Sequence, residues 1–233
     1  MAIPQETPVS SLTVENLLGR RLNDVEEKFA PKMLYVRGTI KPPLPSPRVS
    51  IVGSRKASPD ALSDAGEIAK MLAGYEVVIV SGLAEGIDTS AHVAAIEAGG
   101  RTIAVLGTPL NKTYPQKNFN LQQEIMHHHL AISQFRIGHP TSPKDFVLRN
   151  RTMALISDAT LIMEANDRSG SLHQGWEALR LGRPLFIWKS IMNNTQFNWP
   201  EKMLRYGAIE LSEPKDILES LPSSLEMLNM QYE

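Results

Sequence analysis

The chain of 233 residues contains no cysteine. That excludes a disulfide framework and any thiolate-ligated metal site. No apolar run approaches the roughly 20 residues that a membrane-spanning helix requires. The first residues, Met1-Ala-Ile-Pro-Gln-Glu, lack a basic stretch followed by an apolar one, so no signal peptide is expected and a cytoplasmic location is the default. Net charge is also scarce, at −1, which argues against a protein that coats polyanions with its whole surface. Three signatures are missing as well. No G-x-G-x-x-G supports a dinucleotide dehydrogenase, no G-x-x-x-x-G-K-[ST] supports a P-loop NTPase, and no G-x-S-x-G elbow supports a serine hydrolase. Ser54, Ser81 and Ser171 are therefore not read as nucleophiles.

What is present is an apolar fraction of 42%, enough for one large α/β domain with a small appendage. Charge is unevenly placed. Lys28, Lys32, Arg37, Lys41, Arg48, Arg55 and Lys56 fall in a window, residues 28–59, that holds no acid. From Glu201 to Glu233 seven acids face three bases. A basic part and an acidic tail fit a protein with one face toward an anion. Chance clustering on a solvated surface gives the same pattern.

Val49-Ser-Ile-Val-Gly53-Ser54-Arg55 reads as a buried strand ending in a sharp turn. Ser58 then caps a helix whose first residue is Pro59. Such a strand, loop and helix N-terminus make an anion site, with backbone N–H groups, the helix dipole and the Arg55 charge converging. A plain βα turn with a solvated Arg55 fits equally. Residues 1–45 read as a small cap and linker: a short helix over 11–18 with Leu12, Val14, Leu17 and Leu18 inward, a strand over Met33–Arg37 that can pair onto the main sheet, and the stiff Lys41-Pro-Pro-Leu-Pro-Ser-Pro. Residues 46–233 form the main domain.

There, apolar residues recur at helical spacing from Ala61 to Leu72, with Gly74 as C-cap. Strands are expected to begin at Val49, Val77, Thr102, Leu130, Thr160 and Leu185, with a further edge strand at 208–210. Helices alternate with them: 89–98 capped by Asp88, one from the Asn118 cap to about His127, 144–157, and one opened by Ser169-Gly-Ser-Leu172 that ends near Gly182. This alternation implies a mostly parallel, doubly wound sheet covered on both faces. Glycines at 53, 82–86 and 107 follow successive strands at the edge where such sheets bind ligands, and Gly170 opens a later helix.

Phe146, Asn150 and Met153 share one helix face by their spacing. Phe146 reads either as core or as a platform for a nucleic-acid base. Arg149 and Arg151 lie two apart, so one is expected to reach the glycine loops while the other pairs with a carboxylate such as Glu164 or Asp158. His127-His128-His129 point about 100° apart on a helix and cannot converge on one metal ion. His92 and His173 are single histidines on helices, better read as core or surface residues than as ligands. No metal or cofactor is expected.

Taken together, these strings resemble the DNA-processing protein A family (DprA, also called Smf). The resemblance rests on Ile51-Val-Gly-Ser-Arg55, Val80-Ser-Gly-Leu-Ala-Glu-Gly-Ile-Asp88 with Ala91-His92, and Gly99-Gly-Arg-Thr-Ile-Ala-Val-Leu-Gly107. It continues through Tyr114-Pro115 with Asn118, Phe146-Val-Leu-Arg-Asn-Arg151, Glu164-Ala165 and Ser169-Gly-Ser-Leu172 to Gly182-Arg183, in order from about Met33 to Trp188. It implies an extended Rossmann-like domain without enzymatic activity that binds single-stranded DNA and protects it during natural transformation. It also implies help in loading the recombinase RecA and a homodimer. The carried-over DNA-phosphate residues are Gly53, Ser54, Arg55, Ser81, Gly82, Gly86, Asp88, Gly107, Arg149, Asn150, Arg151, Ser169, Gly170, Ser171 and Leu172. Lys144 and Phe146 join them from the start of the same helix. A dimer contact is expected in the C-terminal third, around Trp199, Met203, Leu204 and Tyr206. The leader is shorter than the helical N-terminal domain common in the family, and the tail is too short for its winged-helix-like C-terminal domain. Ser133-Gln134 stands where the family has Ser-Glu, and Gln174-Gly175 where it has Thr-Ala.

The alternative is a nucleoside-monophosphate phosphoribohydrolase of the related LOG-like group, or a small-nucleotide sensor. In the LOG-like group a Gly-Gly-x-Gly-Thr-x-x-Glu string supplies a catalytic carboxylate. Here Gln174 occupies that place, and an amide is neither a base nor a stabiliser of an oxocarbenium charge.

Overall fold

The computed structural model describes residues 8–192 and 197–222. Among the described residues nine strands form one sheet: β1 (Ser10–Leu12), β2 (Leu34–Gly38), β3 (Arg48–Val52), β4 (Val78–Ser81), β5 (Thr102–Leu106), β6 (Leu130–Ser133), β7 (Ala159–Ile162), β8 (Leu185–Trp188) and β9 (Ile209–Leu211). The helices are α1 (Val14–Leu18), α2 (Asp24–Glu27), α3 (Pro59–Gly74), α4 (Ile87–Glu97), α5 (Phe119–His128), α6 (Pro143–Ile156), α7 (Ser171–Arg180), α8 (Lys189–Met192), α9 (Trp199–Arg205) and α10 (Asp216–Glu219). The strand order is β1-β2-β6-β5-β4-β3-β7-β8-β9. From β6 to β9 every neighbour is parallel, whereas β2 runs antiparallel to both β6 and β1. This is the expected mostly parallel, doubly wound α/β architecture. No described helix is long and apolar enough to cross a membrane.

Two-sided burial explains the apolar runs. Val78, Val80, Ile103 and Val105 face the side covered by residues of α6, α7 and α9. Val49, Ile51, Ile79 and Leu161 face the opposite side, against α3 and α4. Helices α3 and α4 meet through Ala61, Ala65, Ala69, Ala91 and Ala95, all buried. The Ser90 hydroxyl donates to the Leu62 carbonyl at 2.7 Å, pinning the two helices. Ser58 caps α3 as expected, its hydroxyl accepting from the Ala61 N–H, with Pro59 as the first helical residue.

Several local expectations are corrected. Ser11 and Leu12 belong to β1, and α1 begins only after the Thr13 cap. The strand at 33–37 does pair onto the main sheet, as the sequence allowed: β2 pairs with β6 from Tyr35–Ser133 to Gly38–Leu130. Helix α3 runs through Gly74, and the left-handed residue beyond it is Glu76, at φ 61°. Trp199 and Met203 are core residues of this chain, so they offer nothing to a partner. Tyr206 remains exposed, its ring against that of Trp176.

The N-terminal elements are anchored by charge. Glu26 is buried and accepts from both terminal nitrogens of Arg20 at 2.7 and 2.6 Å, from Arg183 at 2.8 Å and from the Asn23 N–H at 3.1 Å. Nearby, Arg48 donates to the Ile156 carbonyl and pairs with Asp158 at 2.9 Å, tying the start of β3 to the start of β7. Burial alone raises the Glu26 carboxyl, but its hydrogen bonds from Arg20, the Asn23 backbone and Arg183 outweigh burial and bring it down to about 2. A carboxylate lowered on folding stabilises the native state above its unfolded value of 4.5, and that contribution disappears as pH falls toward 2. Glu26→Gln should lower stability at neutral pH by about 2 kcal/mol. It should also flatten the loss of stability below pH 4.5, measured by denaturant titration across that range.

Candidate nucleic-acid interface

The chain leaves β3 outward through β4, β5 and β6, then returns to place β7 on the other side of β3. The loops after β3 and β7 therefore diverge, and a crevice opens outside their carboxyl ends, where open α/β sheets place ligands. A cleft of about 920 Å³ occupies this position, within the range of ligand sites. One wall is Gly53, Ser54, Arg55 and Lys56; the other is Asn166, Arg168, Ser169, Gly170 and Ser171. The face of α6 carrying Phe146, Asn150 and Met153 closes the back.

The cleft is shaped by a buried cation. Arg149, 5% exposed, donates to the Gly82 carbonyl, to the Val105 carbonyl at 2.9 Å and to the Asn150 side-chain oxygen at 2.9 Å. It thereby ties α6 to the carboxyl ends of β4 and β5. Asp88 lies beside it, accepting from the Gly82 and Ala84 N–H groups at 3.1 and 3.3 Å. Burial pushes the Asp88 carboxyl up, opposed by the Arg149 charge and those two N–H groups. Burial pushes Arg149 down, opposed by Asp88. Asp88 is thus not the helix cap that the sequence pattern suggested. It sits inside the first turn of α4, whose N-cap is Gly86 at φ 75°.

Three glycines are required by close approach. A Cβ on Gly82 would collide with the Arg149 guanidinium, and one on Gly107 would lie 2.5 Å from the Phe146 ring. Gly53 is likewise pressed between the Ile87 side chain and the Glu164 carbonyl.

Phe146 is half-buried and lines the cleft, so it is not interior core. Its ring is 5.2 Å from that of Tyr114, and the Arg55 and Arg149 guanidinium carbons lie 5.8 and 5.9 Å from its centre. The exposed cations on the cleft are Arg55, Lys56, Lys112 and Arg168. Asp88 is the one carboxylate among the lining residues.

Of the residues expected at the site, Gly53, Ser54, Arg55, Asp88, Phe146, Arg149, Asn150, Ser169, Gly170 and Ser171 line this cleft. Gly82 lines a smaller recess beside it. Ser81 is buried, donating to the Ile51 carbonyl at 2.7 Å. Gly86, Gly107, Lys144 and Leu172 lie outside the lining set, Leu172 packing against the core. Arg151 is also outside, and its expected carboxylate partner is replaced by an aromatic one: its guanidinium carbon lies 4.5 Å from the centre of the Phe29 ring. Glu164 accepts instead from the Ser58 N–H and hydroxyl, and Asp158 from Arg48 and Ser46. Asn118 does not cap α5 through its side chain, which donates to the Leu83 carbonyl and the Thr89 hydroxyl.

Lys56, Lys112, Arg168, His173 and Gln174 line the cleft without having been marked as contacts. For Lys56 and Arg168 a signal existed, a cation within a few residues of a glycine loop. For Gln174 the signal was its departure from the family's Thr-Ala at 174–175 and not its residue type, since a glutamine on an amphipathic helix is ordinarily a surface residue.

The family model for DNA recombination-mediator protein A matches residues 15–222. The DNA processing protein DprA of Streptococcus pneumoniae is 37% identical over 198 residues, 84% of this chain and 69% of that protein. Protein Smf of Escherichia coli is 36% identical over 199 residues, 85% of this chain and 53% of that protein. Among solved structures, DprA from S. pneumoniae superposes with a TM-score of 0.77 at 32% identity, covering 94% of this chain and 76% of that one. DNA processing protein A from Helicobacter pylori, solved to examine its single-stranded DNA binding mode, gives 0.76 at 26% identity, covering 94% and 97%. A molybdenum cofactor binding protein from Rippkaea orientalis, at 0.56 and 17% identity, covers 75% of this chain and shares the fold alone. The crevice at the strand-order reversal, its buried arginine and its glycine-lined walls thus belong to a chain of the DNA recombination-mediator protein A (DprA/Smf) family.

Proposed function

We propose that this chain binds single-stranded DNA in the cleft, without turning it over. In doing so it protects the strand during uptake and recombination and assists loading of the recombinase RecA. The observation that carries the reading is the placement of Phe146. A half-buried ring on the cleft wall, flanked by two guanidinium groups and facing a rim of exposed cations, suits an unpaired base with its phosphates on either side. A base within a duplex is stacked and cannot reach such a ring. The H. pylori relative, described in terms of single-stranded DNA binding, supports the same reading.

The absence of turnover is inferred from the chemistry of the lining. Asp88 is already held by two backbone N–H groups beside Arg149, and Gln174 offers an amide where hydrolysis needs a carboxylate. Incubation with each nucleoside monophosphate should release no free base. Pairing into a homodimer belongs to the same proposal, and light scattering giving twice the chain mass at high micromolar concentration is the expected result.

Arg55 is exposed and Arg149 is buried, so their variants should separate. Arg55→Ala should weaken binding and reduce the salt slope on single strands by about 0.7, with thermal stability unchanged. Arg149→Met should destabilise the fold by about 3–5 kcal/mol, because Asp88 is left buried without its counter-charge. Phe146→Ala should cost about 1–3 kcal/mol of binding with little change in salt slope, since stacking releases few counterions. Fluorescence anisotropy with single-stranded and duplex oligonucleotides at two salt concentrations reads the binding effects, and thermal and denaturant unfolding read the stabilities. Equal affinity for both forms would overturn the proposal.

A further inference from the structure

Gln174 is 0% exposed, and among the described residues neither its Oε1 nor its Nε2 has a hydrogen-bond partner. It lines the cleft from the first turn of α7. Three residues earlier on the same helix face, the Ser171 hydroxyl is buried and also without a partner. Their neighbour Asn150 is satisfied, accepting from Arg149 and donating to the Gly170 carbonyl. Unpaired amide atoms in such a place are costly to the fold, and buried polar groups are as a rule hydrogen-bonded.

The chemistry of the missing partner follows from the carboxamide. It presents one acceptor and an adjacent two-proton donor in a plane. A phosphate or a carboxylate accepts only; it would engage Nε2 and leave Oε1 buried and unpaired. A deoxyribose within a DNA strand carries no free hydroxyl, so it gives the amide no donor. A nucleobase edge does, because each base carries a ring nitrogen beside an exocyclic amino group or carbonyl, the arrangement that lets a glutamine bind a base through two hydrogen bonds.

Resting on the single-strand reading above, we infer that Gln174, with Ser171, reads the edge of one unstacked nucleobase in the cleft, making this a base-selective subsite. Phe146 lies one helical turn before Asn150 on α6, and Asn150 reaches the start of α7 through Gly170. On this inference a base against the Phe146 side of the cleft has its edge toward Ser171 and Gln174. The exposed turn over 166–170, held by the Ser169 hydroxyl on the Asn166 N–H and by Asn166 Oδ1 on the Arg168 N–H, borders this subsite and is the element that must shift to admit the edge.

The test compares the wild-type chain with Gln174→Leu and the volume-matched Gln174→Met. The probes are oligo(dA), oligo(dC), oligo(dT) and a strand of abasic sugar-phosphate units. The wild type should rank the bases and bind all of them more tightly than the abasic strand. Each variant should lose about tenfold in affinity for the preferred base, two neutral hydrogen bonds' worth, and should lose the ranking. Affinity for the abasic strand and the salt slope should not change. Thermal stability should hold or rise, because buried orphan atoms have been removed. Unchanged ranking in both variants, or a loss that falls equally on the abasic strand, would overturn the inference while leaving single-strand binding intact. A fall in Tm in both variants that tracks the binding loss would assign Gln174 a structural role and also overturn it. Failure of the wild type to prefer single strands over duplex would instead remove the underlying reading.

Discussion

The burial of the Arg149 guanidinium is the constraint on which the rest of the cleft depends. A charge removed from water must be surrounded by acceptors and a counter-charge. This one takes the carbonyls of Gly82 and Val105, the Asn150 oxygen and the field of Asp88. Those demands dictate several nearby residues. Residue 82 has to lack a Cβ because the guanidinium occupies that space. Asp88 has to turn back onto the loop after β4 and cannot serve as a helix cap. Helix α6 is fixed in rotation about its axis, and that rotation aims Phe146 at Gly107 and into the cleft.

Around this fixed back wall the front of the cleft is built from loops. The segments 53–56 and 166–170 carry exposed cations on short backbone turns, stabilised locally by Ser54, Asn166 and Ser169 side chains. Rigid elements thus place the aromatic ring and the buried amide, while loops place the charges. The division suits a strand ligand, whose backbone is flexible and whose bases are planar and stiff. The chain's small net charge does not conflict with this, because the cleft lining itself is unbalanced, with Arg55, Lys56, Lys112, Arg149 and Arg168 against Asp88.

How much of this was legible from residues alone depended on the range of the interaction. The parallel strands and their helices were read from periodicity, because burial on both sheet faces leaves continuous apolar runs such as Val49–Val52 and Thr102–Leu106. The Ser58-Pro59 helix start was legible for the same reason, a cap being a contact across three residues. Arg55 and the Gly53 loop were found because loop and helix N-terminus are adjacent in sequence. Arg151 was misassigned a carboxylate partner because Phe29 is distant in sequence, and stacking on it leaves no periodic trace. Trp199 and Met203, expected at a dimer contact, pack into the core instead, since the sequence of a short helix tells nothing of what covers it.

By itself the sequence determined the fold class, the family and the edge of the sheet where the cleft lies, because these follow from local pattern and from strings of adjacent residues. Only the tertiary structure decided which site residues touch the cleft and which merely support it. Gly107 and Phe146, Gly82 and Arg149, and Asp158 and Arg48 are partners separated by tens of residues. Gln174 makes the same point most sharply. A glutamine is compatible with any helix surface, and it is the packing of α6 and α7 against the sheet that buries this one beside a cleft with its amide unpaired.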